Sequence, residues 1–464
     1  MRALALSGLV LMAGCATFSE DGGFGTVEQA ATERGAPGAR WVRSADERDS
    51  VAARVRELLA RPLTPEAAAQ VALLNNPGLQ ARYAELGIAE ADLVQASRWR
   101  GPTFSFARLT RGDEVEREAS VFFDVLGLLA IPLSTRAQEK RFAAARQRAA
   151  EETLRHALET RKAWFEAVAA QQTTTYLEDV QLAAEASADL ARRMAQVGNW
   201  PLLTQAREQA FYAEATAQLA RARQAALAAR EKLTRLMGLW GEQVQFALPD
   251  RLPELPQAVR EAGELEAKAL AQRLDVQAAR HEAEGLAKSL GLTRVTRYVD
   301  LLEVGALRNR EDDGPVQRGW EVELRIPIFD FGGARAARAE HLYMQAVDRA
   351  ADTAIRARSE VRETYGAYRT AFDLARHYRD EIVPLRKRIS EEMLLRYNGM
   401  LSSVFELLAD ARDAVASVNG YLEAQRAFWI AEADLQMALT TGSPGATGTP
   451  MKAATPAAPA GGGH

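Results

Sequence analysis

Apolar and charged residues alternate from Trp320 to Ile326, and Ile328 continues the apolar series after a proline. The residues of the apolar series are Trp320, Val322, Leu324, Ile326 and Ile328. A period of two residues predicts a β-strand with one apolar and one charged face. We expect this strand to continue to Phe329, and we expect Val322, Leu324 and Ile326 to face lipid.

Three further segments complete two predicted hairpins. The segment from Ala119 to Leu129 is the apolar counterpart in the first half, with Asp124 as its polar interruption, and segments beginning at Thr103 and Tyr298 precede the two apolar segments. Charged, turn-like connections separate the members of each pair. Strands of about 9–11 residues with polar loops fit a transmembrane β-barrel. A small soluble hairpin packed against helices is the alternative that the pattern leaves open.

Long helices are predicted on both sides of the strands. Thr64 and Pro65 suit the N-cap and the first position of an opening helix. From Ala334 to Arg396 the only proline is Pro384, so the sequence predicts a helix of roughly 95 Å at about 1.5 Å per residue. Such a length is unusual in a compact domain. An ordinary coiled coil would explain the helices but not the strand-like segments between them.

The second half of the chain repeats the first. Gly198 corresponds to Gly399, and Arg161 to Arg362, at one common offset. This long period indicates one structural unit used twice. Six segments are predicted: a signal peptide at 1–14, a lipidated N-terminal segment at 15–62, a first repeat (helix, two strands, long helical hairpin) at 63–238, a linker at 239–261, a second such repeat at 262–441, and a disordered tail at 442–464.

The only cysteine, Cys15, ends a short apolar run. Arg2 and the residues from Ala3 to Ala13 have the pattern of a secretory signal peptide, which is too short to span a bilayer. Residues 11–15 resemble a bacterial lipobox, in which the cysteine is acylated. We therefore expect palmitate-type lipidation of Cys15, and Ala16 after it resembles the pattern of outer-membrane lipoproteins. An unmodified cysteine in an ordinary signal peptide is the alternative.

Composition argues against several other classes of function. The net charge is −4 with acids and bases interspersed, so no basic surface indicates a nucleic-acid partner. The five histidines are scattered, and none stands at a metal-ligand spacing from cysteines or carboxylates. The sequence contains no phosphate-binding loop and no nucleophile elbow. We expect no enzymatic activity, no cofactor and no metal site.

Three segments resemble the outer-membrane efflux factor family, the TolC-like channels. They are an opening helix at Ala72–Leu93 with an Asn-Pro step, a first helical tip at Gln196–Gln209, and a second tip at Arg396–Ala414. The resemblance covers residues 64 to 441. It implies a mainly α fold with a β-barrel part, in which a homotrimer shares a long α-helical barrel and a transmembrane β-barrel.

The resemblance also implies a function and partners. A lipoprotein-type channel of this family lies in the cell outer membrane, is anchored by lipid and extends into the periplasm. It passively conducts substrates to the exterior from an inner-membrane transporter, to which a periplasmic adaptor protein connects it. The alternative is a lipid-anchored periplasmic adaptor or a structural coiled-coil lipoprotein. An adaptor should carry one helical hairpin between lipoyl-like and barrel domains, whereas this sequence predicts two hairpins.

Related channels often carry aspartates shortly after the glycine of the second tip. Here Phe405 and Leu408 occupy those positions, whereas Glu406 and Asp410 lie on other helix faces. An apolar ring can close a channel mouth by dewetting, but both side chains can equally be ordinary packing residues. Trp200 either contacts the adaptor or packs within its tip. The residues proposed for the tips and the mouth are Gly198, Trp200, Gly399, Phe405, Glu406, Leu408 and Asp410.

Overall fold

The computed structural model describes residues 17–111, 114–261, 263–311 and 314–442. The described elements of the first half are α1 (Gly25–Glu33), α2 (Ala45–Leu59), α3 (Pro65–Asn75), α4 (Pro77–Ala96), β1 (Thr103–Arg111), β2 (Glu114–Asp124), α5 (Val125–Gln196) and α6 (Leu202–Met237). Those of the second half are α7 (Leu265–Gln272), α8 (Leu274–Thr296), β3 (Leu301–Glu311), β4 (Gln317–Arg325), α9 (Gly333–His377), α10 (Val383–Asn398) and α11 (Val404–Thr440). A short 3₁₀ helix, Gly241–Val244, lies between the halves. In the part of the chain that the structure describes, no helix combines the length and hydrophobicity needed to cross a bilayer.

Polar caps divide the opening helical region into two helices. Thr64 caps α3 by accepting a hydrogen bond from the Ala67 N–H at 3.1 Å, and Pro65 begins the helix, as predicted. The expected single helix through the Asn-Pro step is interrupted, because α3 ends at Asn75 and Asn76 caps α4. Asn76 is extended because a residue before proline disfavours the helical conformation.

The junction between β2 and α5 differs from the prediction. The strand expected from Ala119 to Leu129 ends at Asp124, which is the N-cap of α5. The Asp124 carboxylate accepts a hydrogen bond from the Gly127 N–H at 2.6 Å, which satisfies one of the free donors of the first helical turn. From there α5 continues for 72 residues, about 110 Å at 1.5 Å per residue.

The long helix of the second half contains one irregularity. In place of a regular helix from Ala334 to Arg396, the structure has α9, a π-helical turn at Tyr378–Ile382 and α10 in direct succession. Pro384, in the first turn of α10, has no N–H to donate to the carbonyl of Asp380. The π-helical turn accommodates this missing bond, so the helix continues past the proline.

The four described strands form one antiparallel sheet in the order β1-β2-β3-β4. Because β2 pairs with β3, the sheet joins the two halves of the chain. The outer edges of β1 and β4 have no strand partner among the described residues. The expected strand through Phe329 ends at Arg325, so Ile326 lies one residue beyond β4. Pro327 explains the early end, because it has no N–H for a ladder hydrogen bond.

The two halves also meet in a core rich in aromatic side chains. Phe165 of α5 stacks on Trp429 of α11 with ring centroids 5.0 Å apart, and Phe428 is fully buried beside Trp429. The indole N–H of Trp164 donates to the Leu63 carbonyl oxygen at 2.7 Å. Large aromatic side chains dominate core energetics, so this cluster fixes α5 against α11.

The N-terminal helices belong to the packed structure. Val51 and Val55 of α2 are buried in the core, and the ring of Phe24, the N-cap residue of α1, meets the ring of Tyr83 in α4 edge-on at 4.7 Å. The predicted segment 15–62 therefore contains two packed helices that the sequence pattern did not reveal. It is a structural part of the chain as well as the expected site of lipid attachment.

One ion pair occurs at matching positions in the two halves. Arg161 pairs with Glu66, and Arg362 pairs with Glu266, each at 3.3 Å. The two arginines are those matched in the sequence, and each glutamate lies in the first turn of a helix that opens its half. Both halves therefore use the same contact between an opening helix and a long helix.

Candidate functional site

The first helical tip, residues 197–201, connects α5 to α6. Gly198 has a φ of +79°, a left-handed conformation that glycine adopts at little cost. The amide N–H groups of Asn199 and Trp200 both donate to the carbonyl oxygen of Met194, at 2.9 and 3.3 Å. Gly198 therefore ends α5 through its backbone, and the half-buried Trp200 lies at the end of this hairpin.

The second helical tip, residues 399–403, connects α10 to α11 and has a different backbone. Gly399 has a φ of −81°, which any residue adopts, whereas Met400 takes the left-handed conformation with a φ of +57°. Met400 and Leu401 are 94% and 82% exposed. The match between Gly198 and Gly399 in sequence therefore does not extend to their conformations. The exposed pair at the apex was not among the predicted site residues.

Glu406, one of the predicted mouth residues, caps α11. The Ser403 N–H donates to the Glu406 carboxylate at 2.9 Å, and the Glu406 N–H donates to the Ser403 hydroxyl at 3.3 Å, which is a capping box. Hydrogen bonds from the Ser402 hydroxyl and then from the Ser403 N–H hold the pKa of Glu406 below its usual value. The carboxylate is therefore charged and engaged in starting the helix.

Asp410 has a comparable structural contact. It is 7% exposed, and the Ser390 hydroxyl of α10 donates to its carboxylate at 2.6 Å, which ties the two helices together behind the tip. Leu408 is half-buried in the single chain. Phe405 lies in the first turn of α11, and its side chain is outside the described part of the structure. Whether Phe405 and Leu408 narrow a channel mouth stays a prediction.

A partly buried ion pair links the second hairpin to the first. The Arg412 guanidinium of α11 donates to the Glu208 carboxylate of α6 at 2.6 Å, and the Ser187 hydroxyl of α5 donates to it at 2.9 Å. Glu208 is 4% exposed, and Arg412 also lies over the Phe211 ring at 4.6 Å. Removing one partner would leave a buried charge, so the pair restrains α11 against the first hairpin. No sequence pattern indicates this contact between residues 204 positions apart.

The β-sheet lies at the ends of the long helices that are opposite the tips, and it presents an exposed apolar surface. Val322 and Leu324 are 47% and 51% exposed, and the strand register places them opposite Val304 and Leu302 on the same face. Ile326, also predicted to face lipid, is 45% exposed but follows the strand. Exposed apolar side chains in register across neighbouring strands form a surface of the type that lipid or another chain covers.

Two sequence predictions remain, the lipidation of Cys15 and the absence of a metal site. Cys15 lies outside the described residues. Within the described ranges, no group of three or more histidine, cysteine, aspartate or glutamate residues is arranged to hold a metal ion.

Comparison with known proteins identifies the architecture. No protein-family model matches the sequence, and a search of curated proteins finds no significant match. Solved structures do match. The outer-membrane protein VceC of Vibrio cholerae aligns with a TM-score of 0.67 and 16% identity, over 82% of this chain and 96% of that one.

Two further channels give similar values. The MtrE outer-membrane channel of Neisseria gonorrhoeae, in its open state, aligns with a TM-score of 0.67 and 16% identity, over 81% of this chain and 89% of its own. The CmeC outer-membrane channel of Campylobacter jejuni aligns with a TM-score of 0.64 and 16% identity, over 82% and 86%. At such low identity the agreement concerns the fold, and it extends over most of both chains. This chain therefore has the TolC-like fold of the outer-membrane efflux channels.

Proposed function

We propose that this chain is the protomer of a homotrimeric outer-membrane channel in a tripartite efflux system. Substrates would pass through it from an inner-membrane transporter and a periplasmic adaptor to the exterior, without energy input from the channel itself. The observation that carries the proposal is the sheet of four described strands, which has an exposed apolar face and no strand partner for its β1 and β4 edges among the described residues. This sheet is joined to helices of up to 72 residues.

The geometry of the sheet supports the proposal of an oligomeric barrel. Four strands are too few to close a barrel around a pore, because barrel diameter grows with strand number. Unpaired strand edges also have no hydrogen-bond partners in lipid. Pairing the β1 edge of one protomer with the β4 edge of the next would satisfy both edges and yield a closed barrel with cyclic symmetry.

The helical tips would form the periplasmic mouth. Three copies of Phe405 and Leu408 would meet near the symmetry axis and exclude hydrated ions by dewetting. Gly198, Trp200 and the exposed apex of the second hairpin would present the surface that meets the adaptor. The ion pair between Arg412 and Glu208 would resist opening, because α11 cannot move away from the first hairpin without breaking it.

The other candidate functions fit the structure less well. A periplasmic adaptor would need a single hairpin, whereas the described residues form two long hairpins, α5–α6 and α9–α11. The function of a structural coiled-coil lipoprotein would not explain a β-sheet with an exposed apolar face. Lipid on Cys15 is compatible with each of these classes, so it does not distinguish them.

Native mass spectrometry and planar-bilayer recordings of the purified full-length protein test the proposal. We expect a trimer that inserts and gives discrete, low-conductance events without an adaptor. The double variant Phe405→Ala, Leu408→Ala should conduct several-fold more, because a wider apolar constriction stays wet. The control variant Met400→Ala, Leu401→Ala changes exposed apolar side chains of the same tip and should conduct like the parent.

Each outcome has a defined meaning. A monomer without conductance would contradict the channel and favour an adaptor or structural lipoprotein. If the parent is a conducting trimer and its Phe405→Ala, Leu408→Ala variant conducts like the parent, the proposed channel function still holds. It would show that these two side chains pack between helices and that the mouth is closed elsewhere.

A further inference from the structure

The helices next to the β-sheet have the same order as its strands. α4 leads into β1, β2 leads into α5, α8 leads into β3, and β4 leads into α9. α4 packs against α5, α5 packs against α8, and α8 packs against α9. In the part of the chain that the structure describes, α4 and α9 are therefore the outermost helices of this layer, as β1 and β4 are the outermost strands of the sheet.

α4 presents an exposed face on the side opposite its buried residues. Its buried residues are Leu79, Tyr83, Leu86, Glu90 and Val94. The Tyr83 hydroxyl is hydrogen-bonded to the Thr153 hydroxyl of α5 at 3.0 Å, so this side of the helix is turned toward α5. At 3.6 residues per turn, the residues on the opposite side repeat at alternating intervals of four and three positions. All of them are exposed: Ala81, Glu85, Ile88, Asp92 and Gln95. We name this set the α4 face.

The N-terminal half of α9 has a matching face. Ala346 and Ala357 are buried there. The residues on the opposite side of the helix repeat at the same alternating intervals of four and three positions, and all are exposed: Ala337, His341, Met344, Asp348, Ala351 and Ile355. Met344 and Ile355 are 47% and 69% exposed, and Ile88 of the α4 face is 63% exposed. We name this second set the α9 face.

The two faces have the spacing by which helices interlock along a seam. Intervals of four and three place the side chains of one helix into the gaps between those of the other. The alanines on both faces allow the helices to approach closely, and the exposed isoleucine and methionine side chains supply apolar area that contact would remove from water. Either face alone is therefore one half of a helix–helix contact.

The levels of the two faces along the helices also agree. Ile88 lies about 12 Å before the end of α4, and Met344 lies about 17 Å after the start of α9, at 1.5 Å per residue. On the same scale His341 lies between the levels of Asp92 and Glu85, so its ring N–H can donate to a carboxylate. α4 runs toward the sheet and α9 runs away from it, so the contact would be antiparallel.

We propose, on the basis of the channel function proposed above, that the α4 face of one protomer packs against the α9 face of the next. The occupant of each face is then a second copy of this chain. The contact continues the pairing proposed for the β1 and β4 edges, because each outer strand is joined to the outer helix of the same edge. A heterologous contact of this kind closes a ring, which would extend from the barrel into the helices.

Disulfide cross-linking of the full-length protein in outer-membrane fractions tests this inference. Ile88→Cys is combined in turn with His341→Cys, Met344→Cys or Asp348→Cys, three successive positions of the α9 face. Ile88→Cys with Arg349→Cys is the matched control, because Arg349 is exposed and adjacent to Asp348 but lies about 100° away around the helix. The single variants and the parent, whose only cysteine is Cys15, give the background.

We expect at least one of the three pairs to convert most of the protein into covalent dimers and trimers under mild oxidation, because a heterologous contact links each copy to the next. The control pair should give about tenfold less of these products, since its second cysteine points away from the seam. The single variants should stay at background, because the contact joins two different faces. All exchanged residues are exposed, so the variants keep the packed core.

Native mass spectrometry of the same preparations separates two kinds of failure. A trimer in which none of the three pairs cross-links above the control would overturn this inference and leave the channel function in place. The absence of any trimer would refute the proposed function as well.

Labelling by a water-soluble maleimide provides a measurement that needs no pair of cysteines. In the trimer, Ile88→Cys should react about tenfold more slowly than Arg349→Cys, because a neighbouring helix covers it. Equal rates would show that the α4 face is open to solvent and would overturn the inference. Slow labelling of Ile88→Cys without any intermolecular cross-link would show that another segment of the same chain covers the face, which also overturns the assignment to a second copy.

Discussion

Replacing the buried Arg273 by methionine tests how the second half of the chain is held together. Arg273 is 1% exposed and lies between α7 and α8. Its guanidinium binds the Asp275 carboxylate with two contacts, at 3.0 and 2.7 Å, and the Glu360 carboxylate of α9 at 2.7 Å. It also donates to the Ala438 carbonyl oxygen of α11 at 3.2 Å. One side chain therefore connects α7, α8, α9 and α11.

The expected loss follows from the burial of these partners. Breaking a buried ion pair by removing one partner costs about 3–5 kcal/mol, because the remaining charge stays in the interior. The side chains of Asp275 and Glu360 are 18% and 16% exposed, so water relieves part of this cost. We expect Arg273→Met to lower the free energy of unfolding by about 3 kcal/mol.

Arg362→Met is the matched control. Arg362 lies on the same helix as Glu360 and pairs with Glu266 at 3.3 Å, but the two side chains are 62% and 42% exposed. An exposed pair contributes only about 0–1 kcal/mol. A third variant, Arg273→Met with Asp275→Asn and Glu360→Gln, removes the uncompensated charges and should recover most of the loss.

Guanidinium titration of the detergent-solubilised protein, followed by far-UV circular dichroism, measures these differences. The reasoning is refuted if Arg273→Met loses no more than Arg362→Met. It is also refuted if the triple variant is no more stable than Arg273→Met, since the loss would then come from packing and not from buried charge.

Two further predictions concern protonation and lipid. Burial, followed by the nearby Asp275 carboxylate, raises the pKa of Glu151 to about 7. The folded state therefore binds more protons than the unfolded state between about pH 4.5 and 7, and stability falls as the pH rises through this window. Glu151→Gln should stabilise by about 1–3 kcal/mol at pH 8 and by almost nothing at pH 4; an equal gain at both pH values in thermal unfolding would contradict this. Cys15→Ser should abolish labelling by radioactive palmitate, and persistent labelling would place the lipid on another residue.

The sequence predicts those elements that have a clear hydrophobic period or a capping residue. It does not predict features that depend on contacts between residues distant in sequence or on backbone pairing. Thr64 was correctly predicted as an N-cap, and the strand beginning at Thr103 was correctly located. The apolar run from Ala119 to Leu129 shows no change of period at its middle. The capping bond of Asp124 marks the point where the strand ends and the helix begins. β4 was predicted too long because side-chain alternation continues past Arg325, although the backbone pairing cannot pass Pro327.

The tips show the same division. Ser403 and Glu406 have the spacing of a capping box, so the sequence itself indicates the capping role of Glu406 beside its proposed place at the mouth. The contact between Arg412 and Glu208 was not accessible, because it depends on how two long hairpins pack. Asp410 is an intermediate case, because its place near the tip can be inferred from the sequence but its burial against α10 cannot.

The N-terminal segment connects the proposed lipid anchor to the proposed barrel. The Ser19 N–H donates to the Glu90 carboxylate of α4 at 2.7 Å, and Glu90 itself is only 5% exposed. In the sequence only three residues separate Ser19 from Cys15, the proposed site of lipid attachment. α4 ends at Ala96 and β1 begins at Thr103, so Glu90 lies near the helix end that enters the sheet. The proposed lipid on Cys15 and the apolar face of the sheet can then lie in the same membrane. The two proposed membrane contacts therefore support each other.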